Sequence, residues 1–156
     1  MHTVKDIMTK NVITVTPDLG VDKLAALFWQ NNISGAPVVD AEGRVVAVVT
    51  ESDLIDQAKK IHIPTMISFW DSVIMLGSAE KLEKEIGKMT GTTVSDICSK
   101  KVITVHEDTS IEEIATIMSE KNIHTIPVLA GNELVGIVGK NDIIRTLAKR
   151  EEDKME

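Results

Sequence analysis

Apolar residues change their period along this chain in a fixed order, and the order occurs twice. Residues 12–15 form a short β-branched run with the look of a buried strand. Val21, Leu24, Ala25 and Phe28 then fall at i, i+3, i+4 and i+7, the apolar stripe of an amphipathic helix. Two further β-branched runs, 36–39 and 45–49, flank Asp40-Ala41-Glu42-Gly43 and predict a hairpin. A last helix starts near Ser52, which gives a β-α-β-β-α unit. The same succession returns with 102–105, the stripe Ile111, Ile114, Ala115 and Met118, strands at 126–129 and 134–138, and a helix from about Asn141. Ser110 with Glu113 predicts a capping box on the second copy's first helix, where the first copy has only Gly20. Asn32 and Asn122 follow the two stripes, as residues that tolerate left-handed geometry at a helix end.

The two copies align residue by residue at a shift of ninety positions (94 minus 4). Val4, Asp6, Ile7, Val12, Ile13, Thr14, Val15 and Asp18 meet Val94, Asp96, Ile97, Val102, Ile103, Thr104, Val105 and Asp108. Ala25, Asn32, Ile33, Pro37 and Val38 meet Ala115, Asn122, Ile123, Pro127 and Val128. One residue is lost in the turn after Val39, so Asp53 and Ile55 meet Asp142 and Ile144. A unit this small buries too little apolar area alone, so the copies are expected to pack sheet to sheet around a pseudo-twofold axis. The chain divides into a first repeat at 1–59, an insert at 60–92 and a second repeat at 93–156. In the insert, Ile67, Trp70 and Ile74 share one helical face, and Leu82, Ile86 and Met89 share another before Gly91. This predicts a helical hairpin packed on the repeats, or a partner-binding surface centred on Phe69 and Trp70.

Composition narrows the function. The 156 residues are 43% hydrophobic, enough for a core, and the single Cys98 cannot form an internal disulfide, so the cytoplasm is the expected compartment. No run is long and apolar enough to suggest export or a membrane span. A net charge of -7, with Lys100-Lys101 and Lys149-Arg150 read as solvated pairs, argues against nucleic acid, so an anionic ligand would have to be held locally. His2, His62, His106, His124 and Cys98 share no metal-ligand spacing, so neither a metal nor another cofactor is expected. The stretch from Gly136 to Asn141 fails as a phosphate loop, with Leu134 at the first glycine position and Asn141 at the magnesium-binding hydroxyl. Nothing in the sequence predicts catalysis.

The order of elements, with Val-Lys-Asp-Ile-Met-Thr ahead of the first strand and Thr50-Glu51-Ser52-Asp53 opening the last helix, resembles the CBS domain family. The resemblance implies an α/β (α+β) fold of two tandem repeats with two clefts, which in many members bind AMP, ADP, ATP or S-adenosylmethionine. It also implies a homodimer. In that family the Thr/Ser-x-x-Asp pattern contacts ribose and phosphate, which falls here on Thr50 and Asp53. A carboxylate can accept hydrogen bonds from both ribose hydroxyls, and a helix N-terminus offers free N–H groups to phosphate. The second copy reads Gly139-Lys140-Asn141-Asp142, keeping the carboxylate and losing the hydroxyl. The stretch before each proline lines the base and phosphate region in the family, which maps to Ile33, Ser34, Gly35 and Ala36 and to Ile123, His124, Thr125 and Ile126. Its clefts are built crosswise, so Asp142 is expected to face Val12 and Ile13, and Asp53 to face Val102 and Ile103. The clefts are expected to be unequal, one gripping ribose through Thr50 and Asp53, the other, holding Asp142, relying on His124 and Lys140 for phosphate. Two plainer alternatives stand beside these. Thr50 and Asp53 also fit a helix cap, and His124 a surface histidine. The function implied is a regulatory module that senses an adenosine nucleotide for a client protein, the alternative being a scaffold with degenerate clefts.

Overall fold

The computed structural model describes residues 2–60 and 91–155, so the two helices expected around Trp70 and Ile86 lie outside the described residues. The first repeat runs α1 (Val4–Ile7), α2 (Val21–Asn31), β1 (Gly35–Val39), β2 (Val45–Thr50) and α3 (Glu51–Lys60). The second runs α4 (Val94–Ile97), β3 (Val105–His106), α5 (Ile111–Lys121), β4 (Thr125–Ala130), β5 (Glu133–Gly139) and α6 (Lys140–Met155).

Helix α2 buries Val21, Leu24 and Phe28, and α5 buries Ile111, Ile114 and Met118. The buried arc of α2 is narrower than its apolar stripe. Leu27 flanks it, while Ala25, with one methyl group to offer, faces solvent. The Ser110 hydroxyl accepts the N–H of Glu113 at 3.2 Å, whereas Gly20 makes no side-chain cap. Both helices end on asparagine with φ 52°, the left-handed conformation that Asn reaches more easily than most residues.

β1 and β2 pair antiparallel, as do β4 and β5, and each hairpin has a register shift at the matching place, after Val38 and after Val128. In the first hairpin the Asp40 carboxylate accepts the N–H groups of Arg44 (2.9 Å) and Glu42 (3.0 Å). These bonds, the one from Arg44 first, hold its carboxyl below the usual range. Gly43 carries φ +80°, which closes the turn without strain.

The first strand of each repeat is shorter than expected. Val15 makes a single parallel bridge to Val38, and only Val105 and His106 pair with Val128 and Leu129. Residues 12–14 belong to no strand; Val12 and Ile13 are half-buried and Ile103 lines a cleft, so this part of the β-branched run is not spent on the core.

The two repeats exchange their leading segments. Val4 packs in the core of the second repeat with Val105, Ile114 and Ile126, and Val94 in the core of the first with Val15, Leu24 and Val49. The hydrogen bonds come in matched pairs. The N–H of Val4 donates to the Thr109 carbonyl (2.8 Å) and that of Val94 to Leu19 (2.9 Å); Thr9 bridges Ile137, and Ser99 bridges Val48. These pairs express the pseudo-twofold axis. The short helices α1 and α4 that carry the exchange are built by Thr-x-x-Asp boxes, with the N–H of Thr3 on Asp6 (2.9 Å) and that of Thr93 on Asp96 (2.8 Å). At the axis the symmetry-related residues Gly35 and Thr125 meet. A Cβ on Gly35 would lie 2.6 Å from the Thr125 hydroxyl, so a side chain at 35 would clash with Thr125.

Candidate ligand-binding cleft

A cleft of about 210 Å³ opens between the repeats. The first repeat contributes Ser34, Val48, Thr50 and the opening turn of α3, Glu51, Ser52 and Asp53. The second contributes Ser99, Lys101 and Ile103, the Asn122–Thr125 stretch and Lys140. The N–H of Glu51 donates to the Ser34 carbonyl (2.8 Å) and that of Lys140 to His124 (3.1 Å), fixing each helix start against the residue before its neighbouring strand.

Asp53 divides its carboxylate. Oδ2 accepts the Thr50 N–H (2.8 Å) and the Thr50 hydroxyl (3.2 Å), which is the helix cap; Oδ1 has no hydrogen-bond partner among the described residues. The cap therefore occupies one oxygen of this side chain and leaves the other without a hydrogen bond among the described residues. Asp142 has no such reserve. Its Oδ2 takes the Gly139 N–H (2.8 Å), its Oδ1 takes the Arg145 guanidinium, and the residue is only 8% exposed.

Of the residues singled out in the sequence, the cleft brings together Ser34, Thr50, Asp53, Ile103, Ile123, His124, Thr125 and Lys140. Ala36 and Ile126 are fully buried in the core instead. Val12 sits in a surface groove with Lys10, Thr14 and Arg44, and Ile13, Ile33, Gly35, Val102, Gly139 and Asp142 do not line this cleft. His124 and Lys140, expected to serve the cleft holding Asp142, line the cleft of Thr50 and Asp53. The cause is the close approach of Gly35 and Thr125, which carries the residues before β4 across to the start of α3.

Lys101, Ser99, Asn122, Glu51, Ser52 and Val48 also line the cleft and were not expected there from the sequence. Ser99, Lys101 and Ile103 line the cleft at i, i+2 and i+4, the alternation of one face of a strand-like segment, and Val102 between them does not line it. That alternation was the signal that could have found Lys101. Among the described residues no cluster of three or more potential metal ligands occurs.

Residues 4–60 and 94–149 match the CBS domain description. The chain belongs to the CBS domain family. Among its relatives, protein MJ1426 of Methanocaldococcus jannaschii is 32% identical over 92% of this chain and 90% of its own length. MJ1404 of the same organism is 36% identical, with 93% of this chain matching 32% of that one. CBSX1 of Arabidopsis thaliana, a chloroplastic CBS domain-containing protein, is 27% identical, with 93% of this chain matching 64% of that one. The CBS domain pair of MJ0100, solved with 5′-methylthioadenosine and S-adenosyl-L-methionine, superposes with a TM-score of 0.74 at 26% identity, covering 96% of this chain and 98% of that one. CBSX2 in complex with AMP gives 0.71 at 25% identity, covering 97% and 99%. No described helix of this CBS pair is long and apolar enough to cross a membrane.

Proposed function

We propose that this CBS pair is a regulatory module that binds an adenosine-type ligand in the cleft between its repeats and passes the bound state to a partner protein. The observation that carries this is Asp53, whose Oδ1 is left open at the cleft while its Oδ2 holds the helix start in place. A carboxylate fixed in this way is preorganised to accept ribose hydroxyls, with the Thr50 hydroxyl beside it. The adenosine ligands bound by the MJ0100 pair and by CBSX2 support the same reading. We place the protein in the cytoplasm, where the single thiol of Cys98 needs no oxidising surroundings. A second copy of the chain is its proposed partner in a homodimer, through the matching exposed faces of α3 and α6 that carry Ile55 and Ile144, with Leu147 beside the latter.

Thermal melts with AMP, ADP, ATP, S-adenosylmethionine and 5′-methylthioadenosine test the proposal. A ligand at one hundred times its dissociation constant adds about 2.7 kcal/mol. For a chain of this size that raises Tm by roughly 5–11 °C. No shift with any of the five would favour a scaffold whose clefts are degenerate. Sedimentation tests the dimer, and a monomer at micromolar concentration would refute it.

A further inference from the structure

We infer that the ligand is an adenosine phosphate, bound once per chain in the Asp53 cleft, and that Lys101 is the residue that selects for the phosphate. This rests on the cleft being an adenosine site and decides which members of that class it takes. Lys101, His124 and Lys140 line the cleft together with the two acids Glu51 and Asp53. Among the described residues neither Lys101 nor Lys140 has an ion-pair partner, so both ammonium groups are available to an anion. The internal repeat makes the arrangement one-sided. Of the three basic residues only Lys101 is one-sided: its counterpart across the pseudo-twofold is Asn11, whereas Ser34 and Glu51, the counterparts of His124 and Lys140, line this same cleft. The symmetry-related carboxylate, Asp142, is already engaged at both oxygens by Gly139 and Arg145. Among the described residues the Asp53 side therefore has an unpaired lysine and a carboxylate with one open oxygen, whereas the Asp142 side has Asn11 and a carboxylate already engaged at both oxygens. S-adenosylmethionine, with a sulfonium, an ammonium and one carboxylate, carries a net positive charge that an unpaired Lys101 disfavours, whereas a phosphorylated adenosine carries the complementary negative charge.

Titration calorimetry at two salt concentrations with adenosine, AMP, ADP, ATP and S-adenosylmethionine, on the wild-type chain and on Lys101→Met and Lys101→Arg, tests this. The expected result is one site per chain, AMP at least about tenfold tighter than adenosine or S-adenosylmethionine, and AMP affinity that falls with salt. Lys101→Met should lose about tenfold for AMP with adenosine unchanged, and Lys101→Arg should retain AMP. Two equal sites, S-adenosylmethionine as tight as AMP, or AMP affinity indifferent to Lys101→Met would overturn the inference and leave the adenosine site standing. Absence of binding by every compound would overturn both.

Discussion

Asp53→Ala removes two functions of one carboxylate, and they can be measured separately. The first is the cap. Thr50 loses the acceptor of its N–H at 2.8 Å and of its hydroxyl at 3.2 Å. A lost N-terminal cap costs about 1 kcal/mol, which for a chain of this size lowers Tm by roughly 2–4 °C. The second is the open Oδ1. Hydrogen bonds to a charged group contribute about 1.5–3 kcal/mol, and every 1.4 kcal/mol is a factor of ten, so AMP should bind roughly 10- to 150-fold more weakly. Asp142→Ala is the control. It removes the equivalent cap on Gly139 together with the Arg145 pair, so the apo melt should fall at least as far while AMP affinity stays as in the wild type. Differential scanning fluorimetry of the apo proteins and calorimetric titration with AMP separate the two effects. If Asp53→Ala lowers Tm but leaves AMP affinity unchanged, the carboxylate is a cap and nothing more. If Asp142→Ala weakens AMP equally, the wrong cleft has been assigned.

Three further outcomes follow from packing and burial. Gly136→Ala would place a Cβ against the Met8 side chain and 3.2 Å from the Thr9 carbonyl; urea unfolding should show a loss of about 1–3 kcal/mol. Met8→Cys should recover most of it, because the pseudo-twofold-related pair is Ala47 and Cys98, and a double-mutant cycle with no coupling would refute this. Asn122→Ala forces a less tolerant residue into φ 52° and should cost about 1 kcal/mol, whereas Asn122→Gly should cost less; equal losses would show that the turn relaxes. Burial pushes the Cys98 thiol up, with nearby Asp53 and Asp96 adding to it, so alkylation at pH 7 should be slower than that of a free thiol and accelerate as pH rises; a rate equal to free cysteine at neutral pH would contradict the shift.

The fold was legible because the residues that face the core are the ones that repeat. Val21, Leu24 and Phe28 occupy the positions of Ile111, Ile114 and Met118, and substitutions among apolar residues leave that pattern intact. The four-residue helices α1 and α4 have no room for a periodic stripe, although Thr3 with Asp6 and Thr93 with Asp96 carry their boxes in plain view. In the site, Thr50 and Asp53 could be read from a local motif. That His124 and Lys140 line the cleft with them could not, since it depends on where β1 and β4 approach one another, a contact between residues 35 and 125. Lys101 was hidden by Lys100, because two adjacent lysines look like solvated charge until alternate residues, Ser99, Lys101 and Ile103, are seen to line one cleft. The Asp142 pair with Arg145 has ordinary i, i+3 helical spacing and was available from sequence alone.

The exchange of leading segments bears on how the chain can be made. Val4 reaches its burial site only once Thr109 exists to accept its N–H, and the first repeat's own core stays incomplete until Val94 arrives. Contacts separated by so much sequence raise contact order, which slows folding and delays closure until the second repeat has been synthesised. A ribosome-bound first repeat therefore waits with an unfilled seat until Val94 has been made, and holds Val4 exposed for as long.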